Sequence, residues 1–506
     1  MSRTIDSFIP EEKFSAFKRE DLASHLPHAF EVLPPSCDTL SKTVFHQIQS
    51  LKQQCSTNSS LSSKDEDALD DGFMLCDLKI VQRKLKAWHL MFPRIKPFMA
   101  LKCNPDQNVA HTLGLSPACG FDCASISEIK LALSSTGGNR KRCVYANPQR
   151  ARADLEQSIK LGIGSMTFDG IEELQKIREV FDNHIEELKE NGEEYESLEP
   201  PQMILRIVVP DGHSTVPLGE KFGASPDRVE LLTEKAFDLG LDVVGVSFHC
   251  GSGCHDAEAY GTAIRIAKGA IDIIDSVIVR YNEMDGKKRE PCCVLDIGGG
   301  YSGVDGIGGD LDRFTAISND MNEPRFEGTT DEDETAYKVS TVVTPLVEEL
   351  FPNDSSPIHI ISEPGRYFVE AAFVYCARIY SAKVEKETGF RTYYISQGVQ
   401  GLFKDVLLCD EIFIPIPLMV EEDDNSGTIS MVNERSNGTL YESTIFGPSG
   451  ESFDVVCKSC QLPEMKIGDW LIFDRMGAYT LSIAARDSSL PVRYILGGEG
   501  HVERDD

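Results

Sequence analysis

Between about residues 72 and 370 the chain alternates short apolar runs with amphipathic stretches. The runs at 97–102, 120–124, 143–146, 165–168, 203–208, 243–249, 294–296 and 358–363 read as strands, and the stretches between them repeat apolar residues at helical spacing. Eight strands separated by helices are the pattern of parallel strands joined by crossovers. Several runs, MILRIVV and VVGVSF among them, are apolar without alternation, as expected when both faces of a strand are covered. The fold class is therefore α/β plus β, with a (β/α)8 barrel and a doubly wound open sheet as the alternative. Past residue 370 the segments FVYCARIYSAKVEK, RTYYIS, EIFIPIPL, DWLIFD and VRYILGG lie between turn signals and predict a second, mostly antiparallel β-domain. The expected division is 1–72 as an N-terminal segment contributing to the β-domain, 73–372 as the barrel and 373–506 as the β-domain.

Composition changes this picture little: 506 residues with 41% apolar and 26% charged side chains are ordinary for a globular protein. Charge changes it more. Lys and Arg number 50 against 81 Asp and Glu, a net charge of −31, so the chain lacks the cationic surface that neutralises phosphates and is not expected to bind nucleic acid. The acidity concentrates in polar insertions at 183–200, 301–338 (with TTDEDET) and 421–437. With no run of 18 apolar residues, and a start, MSRTIDSFIPEEKFSAFKRE, unlike a secretory leader, neither a membrane span nor export is expected; the reading is cytoplasmic. Most of the fifteen cysteines are buried thiols on this reading, and Cys457-x-x-Cys460 lacks the second ligand pair of a zinc site, so no metal is expected. The sequons at Asn58, Asn353 and Asn437 then carry no weight.

Candidate chemistry collects at strand ends. PFMALKCNPD closes the first barrel strand with Lys102, at the rim where barrel enzymes keep their reactive groups. Desolvation there lowers an amine's proton affinity and makes it a nucleophile toward a carbonyl. GFDCAS adds Asp122, with Glu128 entering the next helix, and SFHCGSGC adds His249 and, between two glycines, Ser252. LDIGGGYSG formally satisfies the dinucleotide fingerprint GxGxxG, but it lies late in the chain and runs into an acidic insertion. A phosphate grip after the seventh strand suits Gly299 and Gly300 better. ISEPGRYFV supplies Glu363, Pro364, Gly365 and Arg366. A lysine, a ring-stacking histidine, glycine amides and an acid for a ring nitrogen together describe a socket for pyridoxal 5'-phosphate.

The motifs PFMALKCNPD, GFDCAS, YANP, MTFDGIEEL, KFGA, SFHCGSGC, LDIGGG, SEPGRYF, FGPSGESFD and GDWLIFDRMGAYT, in this order from about residue 73 to the C-terminus, resemble the eukaryotic ornithine decarboxylases of the alanine-racemase-like fold group. The resemblance implies that Lys102 carries the cofactor, His249 stacks on its ring and Glu363 pairs with its pyridine nitrogen. It assigns the phosphate to Ser252, Gly299, Gly300, Arg366 and Tyr479, with Asp122 and Arg206 in support. It also implies a homodimer with shared active sites, each completed by the partner's loop, with Asp454 and Lys221 matching an intersubunit ion pair, and leaves antizyme as a possible partner.

The substrate half departs from the family. Where the family loop reads Cys-Asp this chain has Gly450-Glu451, so the cysteine that returns a proton to the substrate carbon is absent, while Asp410 is retained for the distal ammonium. Ser396-Gln397-Gly398-Val399-Gln400-Gly401 stands where the family has NDGVYG, and Cys409 replaces a tyrosine. Catalytic Lys102, His249 and Glu451, with Cys409, Asp410 and Glu451 around the substrate, are thus the expected site. The expected reaction is decarboxylation of L-ornithine to putrescine and CO2. The alternatives are a catalytically impaired relative like the antizyme inhibitors, or a decarboxylase of lysine, arginine or diaminopimelate.

Overall fold

The computed structural model describes residues 22, 26–34, 36–37, 39–57, 71–254, 256–303, 335–352, 358–423, 428–485 and 490–496. Most of the 301–338 insertion, including TTDEDET, and part of 421–437 lie outside the described residues, as do Asn58 and Asn353. Among the described residues no helix is long and apolar enough to cross a membrane.

The chain forms two compact units. The first contains a closed barrel of eight parallel strands: β1 (Ile95–Ala100), β2 (Gly120–Cys123), β3 (Cys143–Tyr145), β4 (Ser165–Phe168), β5 (Gln202–Arg206), β6 (Val243–Ser247), β7 (Val294–Asp296) and β8 (His359–Ser362). All eight expected strands are present, and the ring closes as β8 pairs with β1, Ile360 opposite Ile95. Several end one or two residues earlier than the apolar pattern suggests, because the residues that follow leave the ladder to form the rim.

Phe98, Val144, Ala146, Ile204, Val244, Val294 and Ile361, drawn from β1, β3, β5, β6, β7 and β8 and the residue after β3, pack as one buried cluster, and these branched and aromatic side chains fill the barrel as a core rather than a pore. The packing leaves no room on β6 at Gly245, where a Cβ would lie 2.0 Å from the carbonyl oxygen of Val294. Since the obstacle is backbone in the neighbouring strand, Gly245→Ala should cost about 3 kcal/mol, the upper end for overpacking. A thermal unfolding midpoint equal to the wild type's would refute this.

The acidic stretch expected as an insertion at 183–200 is helical in its first half. Helix Ile171–Asn191 runs through it and ends on Gly192 with φ 70°, the left-handed cap that glycine adopts without strain. Its Leu174, Ile177, Val180 and Phe181 face the core, and its polar face accounts for the charge.

In the second unit a seven-stranded sheet runs Phe30–Val32, Val492–Leu496, Phe73–Asp77, Phe373–Arg378, Trp470–Phe473, Ile416–Glu422 and Ile429–Val432, four of its six pairings antiparallel. Phe73–Asp77, at the expected start of the barrel, is a central strand of this sheet. Helix Leu40–Thr57 covers one face through Leu40, Val44, Ile48 and Leu51, a stripe at helical spacing buried on Phe73, Leu75, Trp470 and Ile472. A four-stranded sheet follows: Ser381–Val384, Arg391–Tyr394, β9 (Tyr441–Phe446) and, at its edge, β10 (Val455–Leu462).

Candidate active site

Chain reversal at the carboxyl ends of the barrel strands puts the polar strand-end residues on one rim. Lys102, two residues past β1, places Nζ 3.0 Å from Oδ2 of Asp122 on β2. Asp122 is 1% exposed and its Oδ1 has no protein donor among the described residues, whereas the Lys102 side chain is 36% exposed. A buried carboxylate thus aims a partly accessible amine at the rim opening. Arg206 ends β5, buried, its guanidinium 5.1 Å from the Phe222 ring. Glu128, by contrast, is used locally: its carboxylate accepts the Ala124 N–H at 2.7 Å and the Ser125 hydroxyl at 2.9 Å, a helix-capping arrangement.

His249 follows β6, and its Nδ1 accepts the Gly251 N–H at 2.9 Å, which fixes the ring and puts the proton on Nε2. The ring keeps some accessible surface but is enclosed by the rim. Burial, then the Lys102 and Arg206 charges, hold its pKa well below the usual 6.5, so it is neutral near pH 7. Ser252 is not in a free turn. It opens a short ribbon, Ser252–Cys254, paired antiparallel with Ser214–Val216.

After β7 the glycines fold back over the rim. A Cβ on Gly299 would sit 2.5 Å from the Glu363 carbonyl and 3.0 Å from Nε2 of His249; one on Gly300, at φ 107°, would sit 2.4 Å from the Gly251 carbonyl. Only glycine lets three strand ends converge this closely. The carbonyls of Gly299 and Gly300 are bonded inward, accepting from the Tyr260 hydroxyl and the Cys254 N–H respectively, each at 3.0 Å. The amides of Gly299 and Gly300 donate to no acceptor among the described residues, which is what an anion cradle requires. No helix starts within 298–303, so the GxGxxG string is not a dinucleotide turn.

Glu363 follows β8, buried, its N–H donating to the Gly298 carbonyl at 2.7 Å. Beside it is Asp296, the last residue of β7 and fully buried, which the sequence reading did not single out. Its Oδ1 accepts the Gly298 N–H at 2.9 Å, and Oδ2 finds no fixed donor among the described residues. Charge on Asp296 disfavours charge on Glu363, which favours a proton on one of the two. Burial pushes Asp296 up to about 6, and burial and then the neighbouring Asp122 push Glu363 well above the carboxylate range. The clue in the sequence was the same as for Lys102: a charged residue closing an apolar strand. Pro364 accepts the Ala100 N–H at 3.3 Å, Gly365 packs on Ala100 and Cys103, and Arg366 opens helix Arg366–Val369.

The rim thus brings together Lys102, Asp122, Arg206, His249, Ser252, Gly299, Gly300 and Glu363–Arg366. The remaining expected residues belong to the second unit. Tyr479 and Asp410 both adopt left-handed backbone, at φ 54° and 53°, unusual for residues with side chains, and Cys409 caps the one-turn helix Asp405–Leu408. Glu451 is exposed in the loop between β9 and β10. That loop is held by Asp454, 1% exposed, whose carboxylate accepts the N–H groups of Val399 at 2.8 Å and Ser449 at 2.9 Å. Asp454, read from sequence as an intersubunit partner, is thereby engaged inside its own chain. Gly398 and Gly447 make room for it, since a Cβ on either would lie 2.0 or 2.5 Å from its oxygens.

The residues present fit pyridoxal phosphate: an amine on a buried carboxylate, a neutral ring, unclaimed amides over a glycine turn and a buried proton-bearing acid pair. Comparison with known proteins agrees. Residues 78–370 match the family model of the pyridoxal binding domain of pyridoxal-dependent decarboxylases. Ornithine decarboxylase of Mus musculus is 30% identical over 85% of this chain and 80% of its own length. Antizyme inhibitor 2 of Xenopus laevis is 32% identical over 84% of this chain and 81% of its own. Among solved structures, the arginine decarboxylase of Paramecium bursaria Chlorella virus is 26% identical with a TM-score of 0.68, covering 91% of this chain and 100% of that one.

Proposed function

The chain belongs to the family of pyridoxal-dependent decarboxylases that includes the eukaryotic ornithine decarboxylases, and from that premise we propose that its substrate is L-ornithine, converted to putrescine and CO2. It is a pyridoxal phosphate-dependent decarboxylase of basic amino acids. The bound cofactor supplies a conjugated ring that takes up the electron pair left when the Cα–carboxylate bond breaks.

The chain's own residues do the rest. Lys102 holds the cofactor through Nζ, kept in place by Asp122. His249, neutral and fixed through Nδ1, stacks on the ring without adding charge. Glu363 presents its proton to the ring nitrogen, and Asp296 beside it favours keeping that proton in the site. Gly299, Gly300, Ser252, Arg366 and Tyr479 hold the phosphate, and Arg206 supports the acidic cluster. Asp410 and Glu451 receive the distal ammonium, with Cys409 lining the same pocket. Gly450 has no proton to give, so the Lys102 ammonium returns one to Cα once CO2 has left.

The observation that carries this reading is the 3.0 Å Lys102–Asp122 pair on the same rim as the unclaimed glycine amides. Released CO2 from ornithine, lysine, arginine and diaminopimelate tests it. Ornithine should lead in kcat/KM by at least about tenfold, a difference of about 1.4 kcal/mol. Release from none of the four sinks it.

A homodimer with shared sites is part of the proposal. Leu407, Leu408, Ile412 and Ile414 flank Asp410 and, like Phe453 near Glu451, are exposed apolar side chains, a patch that a second copy would cover. Sedimentation at twice the chain mass is expected; a monomer at micromolar concentration excludes shared sites. A second reading, a non-catalytic relative like the antizyme inhibitors with antizyme as partner, is favoured by Gly450 alone.

A further inference from the structure

Outside the candidate site, β10 carries two cysteines that no catalytic role uses. In a regular strand, residues three apart point to opposite faces. Here Cys457 opposes Ile445 and Cys460 opposes Ser443 on β9, three steps on one strand against two on the other. The extra residue is a bulge at Lys458 and Ser459, both exposed, with the Lys458 carbonyl accepting the Thr444 hydroxyl at 2.7 Å. It turns Cys457 and Cys460 onto one face. The Cys457 thiol donates to the Ser459 carbonyl at 3.7 Å and the Cys460 thiol to the Ser443 carbonyl at 3.6 Å; the neighbouring Cys460 brings Cys457 down to about 7, while Cys460 is pushed up.

We propose that Cys457 and Cys460 are a thiol–disulfide modification site, closed by a small disulfide oxidant, that restrains the loop carrying Glu451. The Cys457 thiolate attacks one sulfur of the oxidant, whose S–S bond breaks to release the first thiol. Cys460 then gives up its proton and attacks the mixed disulfide at Cys457, releasing the second. The two electrons and two protons end on the released thiols. β10 is the edge strand of its sheet, so local opening admits an oxidant although both cysteines are buried. β10 begins directly after Asp454, and a bond across the bulge fixes the end of the strand from which the loop departs. Cys123 and Cys143 make the contrast: their sulfurs are 3.5 Å apart, but they lie on adjacent strands of a closed barrel, where burial raises Cys123 well above the usual thiol range.

Full-length protein is treated with oxidised glutathione, and free thiols are then blocked. Trypsin cuts at Lys458, between the two cysteines, giving peptides 436–458 and 459–466. The expected product is one species with the summed mass of both peptides less two hydrogen atoms, lost on reduction and absent from Cys457→Ser, together with slower deuterium uptake across 447–454. Separate peptides with blocked thiols, or glutathione retained on Cys457, overturn the proposal. A formed disulfide with unchanged uptake overturns its hold on the loop. Because these are readouts of mass and exchange, a failed substrate panel leaves this outcome unaffected.

Discussion

Replacing Lys102 by alanine should remove the visible absorbance of cofactor-bound protein and lower kcat by roughly a thousandfold, about 4 kcal/mol of barrier. The loss is large because Nζ is asked to do two things: hold the cofactor and return a proton to Cα. It is not a packing effect, since the side chain is 36% exposed. The substitution does leave Asp122 as a buried carboxylate whose Oδ2 has lost its cation and whose Oδ1 already lacks a protein donor. Stripping one member from a buried pair is destabilising by itself. Lys102→Arg separates the two effects: a guanidinium keeps positive charge against Asp122 but stays protonated and does not condense with a carbonyl. Both variants should lose the absorbance, and only the alanine variant should unfold more easily. Survival of the absorbance in either would move the cofactor's attachment elsewhere.

The barrel was legible because strands buried on both faces write unbroken apolar runs, and the rim was legible because a charge that ends such a run is conspicuous. Where the reading fell short, the cause lies in relations that one strand does not display. Asp296 matters through Glu363, 67 positions later in the chain, and their pairing exists only once β7 and β8 lie side by side. Asp454 is matched in sequence to an intersubunit ion pair with Lys221, while its bonds to the Val399 and Ser449 N–H groups exist only once those segments are folded around it. The residues 183–191 look like a charged insertion because the exposed face of a long amphipathic helix has the same composition as a solvated loop. The bulge on β10 escapes a period-2 pattern by breaking it, as the two consecutive exposed residues Lys458 and Ser459 record.

Gly450→Cys should raise kcat on ornithine by at least about tenfold, the lower part of what a positioned general acid contributes, typically ~10²–10⁴-fold. The space for the side chain exists: a Cβ built on Gly450 meets no atom within 4 Å. The loop that would carry the thiol is also held, by the two N–H bonds to Asp454 and by the Asp454 N–H to the Glu451 carbonyl at 3.1 Å. A thiol adds a titratable proton where glycine has none, and with an ordinary pKa near 8.5 it is mostly protonated at neutral pH. Gly450→Ala adds the carbon without the proton and should change kcat less than about twofold, so a gain confined to cysteine identifies proton return to Cα as the slow step. The same pair of variants separates the two readings of this chain. In an enzyme limited by that proton the cysteine variant gains turnover with no tighter cofactor binding. In a protein kept for binding alone, neither variant releases CO2 from ornithine although both still take up pyridoxal phosphate, and that outcome would overturn the proposed decarboxylation.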